Sequence, residues 1–265
     1  MSLLQAIILG VIQGLTEFLP VSSSGHLILG QIFLGLESLE KYILFDLVCH
    51  LGTLLAILSV FYKQLYHAVF IDRSRLLQIC IAILPLFPLL IIMKPIKGIF
   101  DQPQFLFLFF GITALFLFLG LRFGHEKKER LLHAHRWRDP LVIGLFQAFA
   151  IFPGVSRSGS TISGARLIGW SKERALNFSF LIAIPTILGG FVLEVLKLYR
   201  SLDPNINEGI ETGAYIAGFL TSFIVGYGAL RLLMKLVLKD GLMVFVWYCL
   251  AVSLFCFFMF NFSFQ

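Results

Sequence analysis

One polar phrase occurs twice in an otherwise apolar chain of 265 residues, about half the chain apart. Gln13-Gly14-Leu15-Thr16-Glu17-Phe18-Leu19-Pro20-Val21-Ser22-Ser23-Ser24-Gly25-His26 is answered by Gln147-Ala148-Phe149-Ala150-Ile151-Phe152-Pro153-Gly154-Val155-Ser156-Arg157-Ser158-Gly159-Ser160. Pro-Val-Ser-Ser-Ser-Gly-His has become Pro-Gly-Val-Ser-Arg-Ser-Gly-Ser. Hydroxyls and ionisable groups are costly to bury in hydrocarbon, so two matched clusters of them mark where the chain builds its working site.

The hydrocarbon setting follows from composition: 58% hydrophobic and only 14% charged residues, against roughly one-quarter charged in an average soluble domain. The expected fold class is an all-α polytopic membrane protein with the bilayer as its environment; a nucleic-acid partner is not expected. Six stretches, Ile43–Phe61, Leu76–Met93, Phe105–Leu121, Ala175–Leu198, Tyr215–Val237 and Leu242–Phe260, approach the ~20 residues a full span needs. Pro85, Pro88 and Pro185 lie inside them and predict kinks whose freed carbonyls neighbouring helices can satisfy. Leu3–Leu19, Leu27–Leu36, Pro140–Phe152 and Ile162–Trp170 are shorter, broken stretches flanking the two phrases. Such pairs at corresponding places in two halves predict re-entrant helix pairs meeting near the bilayer midplane. No signal peptide is expected, since Met1-Ser2-Leu3 lacks a basic start. Cys49, Cys80, Cys249 and Cys256 have no metal or redox spacing and read as small core residues.

Lys and Arg of short loops favour the cytoplasm. One set of alternate loops carries fourteen: Lys63, Arg73, Arg75, Arg122, Lys127, Lys128, Arg130, Arg136, Arg138, Lys172, Arg174, Arg231, Lys235 and Lys239. The other carries five, Lys41, Lys94, Lys97, Lys197 and Arg200, with Arg157 and Arg166 set aside as intramembrane. The first set is therefore assigned to the cytoplasm and the Ser201–Glu211 loop to the outside. Three spans then follow each phrase, and an odd number per half inverts one half relative to the other. The expected organisation is a single membrane domain: a first repeat over 1–121, a charged cytoplasmic loop over 122–139 and a second, inverted repeat over 140–265. Phe45 and Thr53 match Phe178 and Thr186 at nearly the same offset, though apolar stretches also resemble one another by chance.

Successive serines and glycines on a turn present backbone N–H groups and hydroxyls to an anion. Ser22, Ser24, Gly25, Ser156, Ser158, Gly159, Ser160 and Thr161 are the candidate phosphate-binding residues; ordinary helix capping competes with that reading and is compatible with it. Arg157 needs an anionic partner at membrane depth, either a phosphate held by its fork or a structural ion pair with Glu17. Gln13 and Glu17 share a helix face at i, i+4, where Glu17 could hold a divalent cation, orient water or take a proton. Interhelical hydrogen bonding is the favoured reading for Gln13 and Gln147. Ser23 and His26 beside Glu17 have the parts of an activated-nucleophile site. His50, alone in a span, reads as a packing or hydrogen-bonding residue; His125, His133 and His135 read as solvated.

At these residues the sequence resembles the undecaprenyl-diphosphate phosphatase, or bacitracin resistance protein, family. The carriers are the first phrase and Pro153-Gly154-Val155-Ser156-Arg157-Ser158-Gly159-Ser160-Thr161-Ile162-Ser163-Gly164, and the resemblance covers essentially the whole chain. It implies a bacterial plasma-membrane enzyme, its cleft open to the outer face, which removes the terminal phosphate of a polyprenyl diphosphate lipid and so recycles the carrier for envelope synthesis. Glu17, Ser23, His26 and Arg157 are then the catalytic residues, with Gln13 and Gln147 supporting. The resemblance also implies a divalent cation, Mg or Ca, with Glu17 as its protein ligand. Gln13, where relatives also use Glu, removes a second carboxylate and favours a cation carried in on the diphosphate. Ser23, His26 and water remain open as nucleophile, as does homo-oligomerisation. A lipid-phosphate flippase or anion transporter would use the same inverted site, but has no need of Ser23 and His26 as nucleophile or base. A non-catalytic scaffold leaves Glu17 and Arg157 unexplained.

Overall fold

The computed structural model describes residues 1–36, 39–92, 102–127, 137–201, 210–238 and 241–262, and contains no strand among them. Among the described residues the α-helices are, in order, α1 (Leu3–Phe18), α2 (Ser23–Phe33), α3 (Ile43–Tyr66), α4 (Arg73–Ile83), α5 (Leu86–Ile92), α6 (Leu106–Arg122), α7 (Arg138–Ala148), α8 (Arg157–Leu167), α9 (Lys172–Ser201), α10 (Thr212–Leu238) and α11 (Met243–Phe262). Five helical stretches among the described residues are long and apolar enough to cross a membrane: Ile43–Ile71, Pro103–Arg122, Lys172–Lys197, Thr212–Val237 and Met243–Asn261. The chain is a multi-pass, all-α membrane protein.

The sixth expected span is not one helix. Leu76–Met93 is divided into α4 and α5 at Leu84-Pro85, where proline has no N–H to give and its ring meets the carbonyl one turn back. Pro88 stays within α5 and Pro185 within an unbroken α9. Met93, Lys94 and Lys97, residues 128–136 of the Arg122–Arg138 loop, residues 202–209 of the Ser201–Glu211 loop and Lys239 lie outside the described residues.

Helix association in lipid depends on close packing because hydrocarbon offers no hydrophobic drive between helices. The helix that carries Gln13 and Glu17 docks through small residues: a Cβ on Gly10 would lie 2.9 Å from the Gly218 carbonyl oxygen, and one on Gly14 2.8 Å from the Gly226 nitrogen. Larger residues there would push α1 off α10. Behind Glu17, Phe18 meets Phe180 edge-on at 5.9 Å, and Phe180 meets Phe61 at 5.4 Å, so α1, α9 and α3 share one aromatic core.

The two phrases start and stop matching helices. Ser22 caps α2 by accepting from the Gly25 N–H, and Ser156 caps α8 by accepting from the Gly159 N–H. Both helices run 11 residues and end at glycines with positive φ, Gly35 and Gly169. There Gly35 N donates to Ile32 O and Leu36 N to Gln31 O, while Gly169 N donates to Arg166 O and Trp170 N to Ala165 O. This paired closure is the Schellman stop. At ~1.5 Å per residue each helix is long enough for about half of a bilayer core, too short for a full span.

Candidate active site

The N-terminal ends of α2 and α8 meet. Gly154 N donates to Ser22 Oγ at 3.1 Å, and Ser158 Oγ donates to the Leu19 carbonyl at 3.3 Å. Thr113 on α6 closes the second turn, donating to Gly154 O at 2.8 Å and accepting from Ser156 N at 2.9 Å. Glycine is required where the phrases touch: a Cβ on Gly25 would stand 2.7 Å from Phe110 Cζ and 2.9 Å from Gly154 Cα. Ser22 itself is held at φ 72°, a left-handed conformation that costs a non-glycine residue of order 1–3 kcal/mol and concentrates at functional sites. Here the Ser22 hydroxyl bonds to both turns, which holds the backbone in that state.

Glu17 is the hub. Its Oε1 accepts from Arg157 Nη2 at 2.5 Å, so the two phrases, 140 residues apart, are joined by an ion pair. Its Oε2 accepts from Ser23 Oγ at 2.7 Å and from Gln13 Nε2 at 3.0 Å, with His50 Nδ1 at 3.3 Å. Arg157 spends only one arm of its fork: Nη1 is buried and has no hydrogen-bond partner among the described residues. A guanidinium nitrogen left dry and unpaired is an expensive arrangement unless an anion arrives to meet it.

A cavity of about 660 Å³ opens beside this hub. Its polar wall is made by Thr16, Glu17, Ser22, Ser23, Ser24, His50, Gln147, Ser156, Arg157 and Thr186, and Glu194, paired with Lys197, borders it farther along α9. Leu47, Ile83, Leu86 and Phe87 form apolar wall on one side, and Ile187, Phe191 and Leu193 of α9 form more of it. A headgroup with an attached hydrocarbon chain fits a site so divided.

The remaining expected site residues lie beside the cavity and not on its wall. Gly25 is buried against Gly154. Ser158, Gly159, Ser160 and Thr161 build α8: Ser160 Oγ donates to Ser156 O at 2.7 Å, and Thr161 Oγ1 lies 2.6 Å from Ser179 Oγ. His26 is turned away from Ser23. Its Nδ1 donates to the Ser22 carbonyl at 2.7 Å, its Nε2 accepts from Tyr248 Oη at 2.7 Å, and its ring stacks on Tyr248. Gln13 makes the expected interhelical bonds, reaching His50 Nδ1 at 2.7 Å and Thr53 Oγ1 at 3.4 Å on α3. Gln147 makes none among the described residues: both its amide atoms are buried without partners there, at the cavity. Arg166 is spent elsewhere, donating to Trp170 O at 2.6 Å and to the Gly124 carbonyl.

His50, expected to pack or hydrogen-bond, makes the bond to Gln13. Tyr248 is the residue that sequence reasoning missed: it is 222 residues from His26, and no spacing links the two.

A resident divalent cation does not fit Glu17. Arg157, Ser23 and Gln13 already donate to its oxygens, and among the described residues no three His, Cys, Asp or Glu side chains are grouped to complete a coordination sphere.

Paired helix N-termini and a half-used guanidinium gather around one buried carboxylate at a polar cavity of a polytopic membrane protein. A family model described as bacitracin resistance protein BacA matches residues 6–255, and the chain belongs to that family. It is similar to the undecaprenyl-diphosphatase of Protochlamydia amoebophila (strain UWE25), 49% identical over 257 residues that cover 96% of this chain and 97% of the relative. The enzymes of the same name from Treponema denticola and Carboxydothermus hydrogenoformans are 37% and 38% identical, covering 96% and 94% of this chain and the same shares of the relatives.

Proposed function

We propose that Ser23 attacks the terminal phosphorus of undecaprenyl diphosphate, with Glu17 as its base and Arg157 gripping the phosphate. The reaction is hydrolysis to undecaprenyl phosphate and inorganic phosphate, which returns the lipid carrier to peptidoglycan synthesis and underlies bacitracin resistance. One observation carries the assignment of roles: Ser23 Oγ donates to Glu17 Oε2 at 2.7 Å on the wall of a cavity where Arg157 Nη1 waits unpaired.

In this reading the Ser23 hydroxyl proton passes to Glu17 as the Oγ–P bond forms and the bridging P–O bond breaks, releasing undecaprenyl phosphate. Water then attacks the phosphoserine, its hydroxyl going to phosphorus as inorganic phosphate and its other proton to Ser23 Oγ as the Oγ–P bond breaks, and Glu17 gives up the proton it took to solvent. Phosphoryl transfer needs mainly positioning and charge stabilisation. Arg157 Nη1, the Ser22–Ser24 hydroxyls and the N-termini of α2 and α8 supply both. His26, fastened to Ser22 O and Tyr248, holds the Ser22–Ser23 turn in place. A Mg or Ca ion belongs with the substrate and, when bound, offsets the charge of the diphosphate oxygens. The prenyl chain lies along the apolar wall between α5 and α9.

We further infer an inverted repeat, supported by the matching Ser caps and Schellman stops of α2 and α8, with residence in the plasma membrane and the cleft open to the outer face. The test of function is inorganic phosphate release from undecaprenyl diphosphate by detergent-purified wild type beside Ser23→Ala and Glu17→Gln. Release by wild type and loss in both variants is expected; no release by folded wild type would refute the reading.

A further inference from the structure

We infer that His50 is a substrate-binding residue, donating its Nε2–H to the terminal phosphoryl group; this rests on the reading of the cavity as a diphosphate site. The inference starts from which atoms can donate. Glu17 Oε2 accepts a hydrogen bond from Ser23, so the Gln13 amide atom 3.0 Å from it must be the nitrogen, since an oxygen there would face another oxygen. That fixes the Gln13 amide. One of its hydrogens goes to Glu17 and the other to His50 Nδ1, 2.7 Å away; the third neighbour, Thr53 Oγ1 at 3.4 Å, is long.

His50 Nδ1 is therefore an acceptor, and the proton of the neutral ring sits on Nε2. Gln13 bridges two acceptors, and the 3.3 Å approach of Nδ1 to Glu17 is not an ion pair in this arrangement. The ring borders the cavity with 26% of its side chain exposed, and among the described residues Nε2 has no partner. Uncommitted donors on this wall are few. Arg157 has given Nη2 to Glu17, and Ser23 donates to the same carboxylate. A diphosphate settling beside the Glu17 charge needs further donors, and His50 Nε2–H joins Arg157 Nη1 in that role.

A methylene-bridged prenyl diphosphate, which binds but cannot be hydrolysed, tests this as an inhibitor of wild type, His50→Leu and His50→Gln. Loss of a hydrogen bond to a charged group raises the inhibition constant roughly tenfold or more in His50→Leu, while His50→Gln, which keeps a donor and an acceptor, stays near wild type. The constant for prenyl monophosphate, which lacks the terminal group, is unchanged in all three. A residue that merely props Glu17 would lower kcat and leave the analogue's inhibition constant unmoved, and that result overturns the inference. Should His50→Leu fail to fold, carbethoxylation of wild-type His50 mapped by mass spectrometry gives the same answer: protection by the analogue supports the contact, and none overturns it. A wild type that does not bind the analogue refutes the diphosphate reading itself, whereas tight binding shared by wild type and His50→Leu refutes only the role of His50.

Discussion

Arg157→Lys separates the two tasks of one side chain. In the wild type Nη2 holds Glu17 Oε1 at 2.5 Å while Nη1, buried and unpartnered, is left for the substrate. A lysine keeps the charge but has a single nitrogen, which cannot hold the carboxylate and reach a phosphate along the fork's second direction. The substitution therefore removes one hydrogen bond between charged groups, about 1.5–3 kcal/mol, or roughly ten- to a hundredfold in kcat/KM at 1.4 kcal/mol per decade. Stability should stay close to wild type, because Glu17 keeps a cation beside it. Arg157→Ala differs: it strands a buried carboxylate whose side chain is 5% exposed, which costs about 3–5 kcal/mol when one partner of a buried pair is removed. Steady-state phosphate release and thermal unfolding in detergent measure the two effects. Full activity in Arg157→Lys would refute a phosphate role for Nη1, and an unchanged unfolding midpoint in Arg157→Ala would refute the claim that Arg157 stabilises a charged Glu17.

Gly25→Ala forces a methyl into Phe110 and Gly154 and should lower stability by about 1–3 kcal/mol as overpacking does, with activity falling as the phrases part; an unshifted unfolding midpoint would count against their close approach. Tyr248→Phe removes the donor to His26 Nε2 and should reduce kcat roughly fivefold, the scale of one neutral hydrogen bond, with KM little changed; wild-type kcat would show that His26 does not need this partner. Trp170→Phe breaks the 2.8 Å bond from Nε1 to Asp139 Oδ2 far from the cavity. It should cost about 1–3 kcal/mol of stability with kcat and KM unchanged, and a fall in kcat would extend the site to that end of α8.

Much of the fold could be read from the chain because hydrophobic length and capping are local properties. Ile43–Phe61, Phe105–Leu121, Ala175–Leu198, Tyr215–Val237 and Leu242–Phe260 each fall within a single helix or overrun it by one residue, and the serines and glycines of the phrases mark the starts of α2 and α8. Leu76–Met93 looked the same by hydropathy, yet Pro85 breaks it while Pro185 leaves α9 whole; neighbours that accommodate one proline are not written beside it. Site membership was legible where polar atoms were clustered, as at Glu17, Ser23 and Arg157. It was not legible where it depends on the rotation of a helix. His50 faces Gln13 because glycine packing seats α1 as it does, and His26 turns toward a tyrosine on α11 that no spacing links to it. Gln147 shares the pattern of Gln13 but has no counterpart of His50 opposite it, and so stays unpaired among the described residues.

The central claim, that Ser23 carries the phosphoryl group, is tested most directly by acid quenching the enzyme during turnover of undecaprenyl diphosphate radiolabelled in its terminal phosphate. Acid-stable label on the Ser23 peptide, absent from Ser23→Ala, is the predicted result. Turnover without label on Ser23 would contradict the account and pass the attack to water or to a histidine, whose phosphate acid removes.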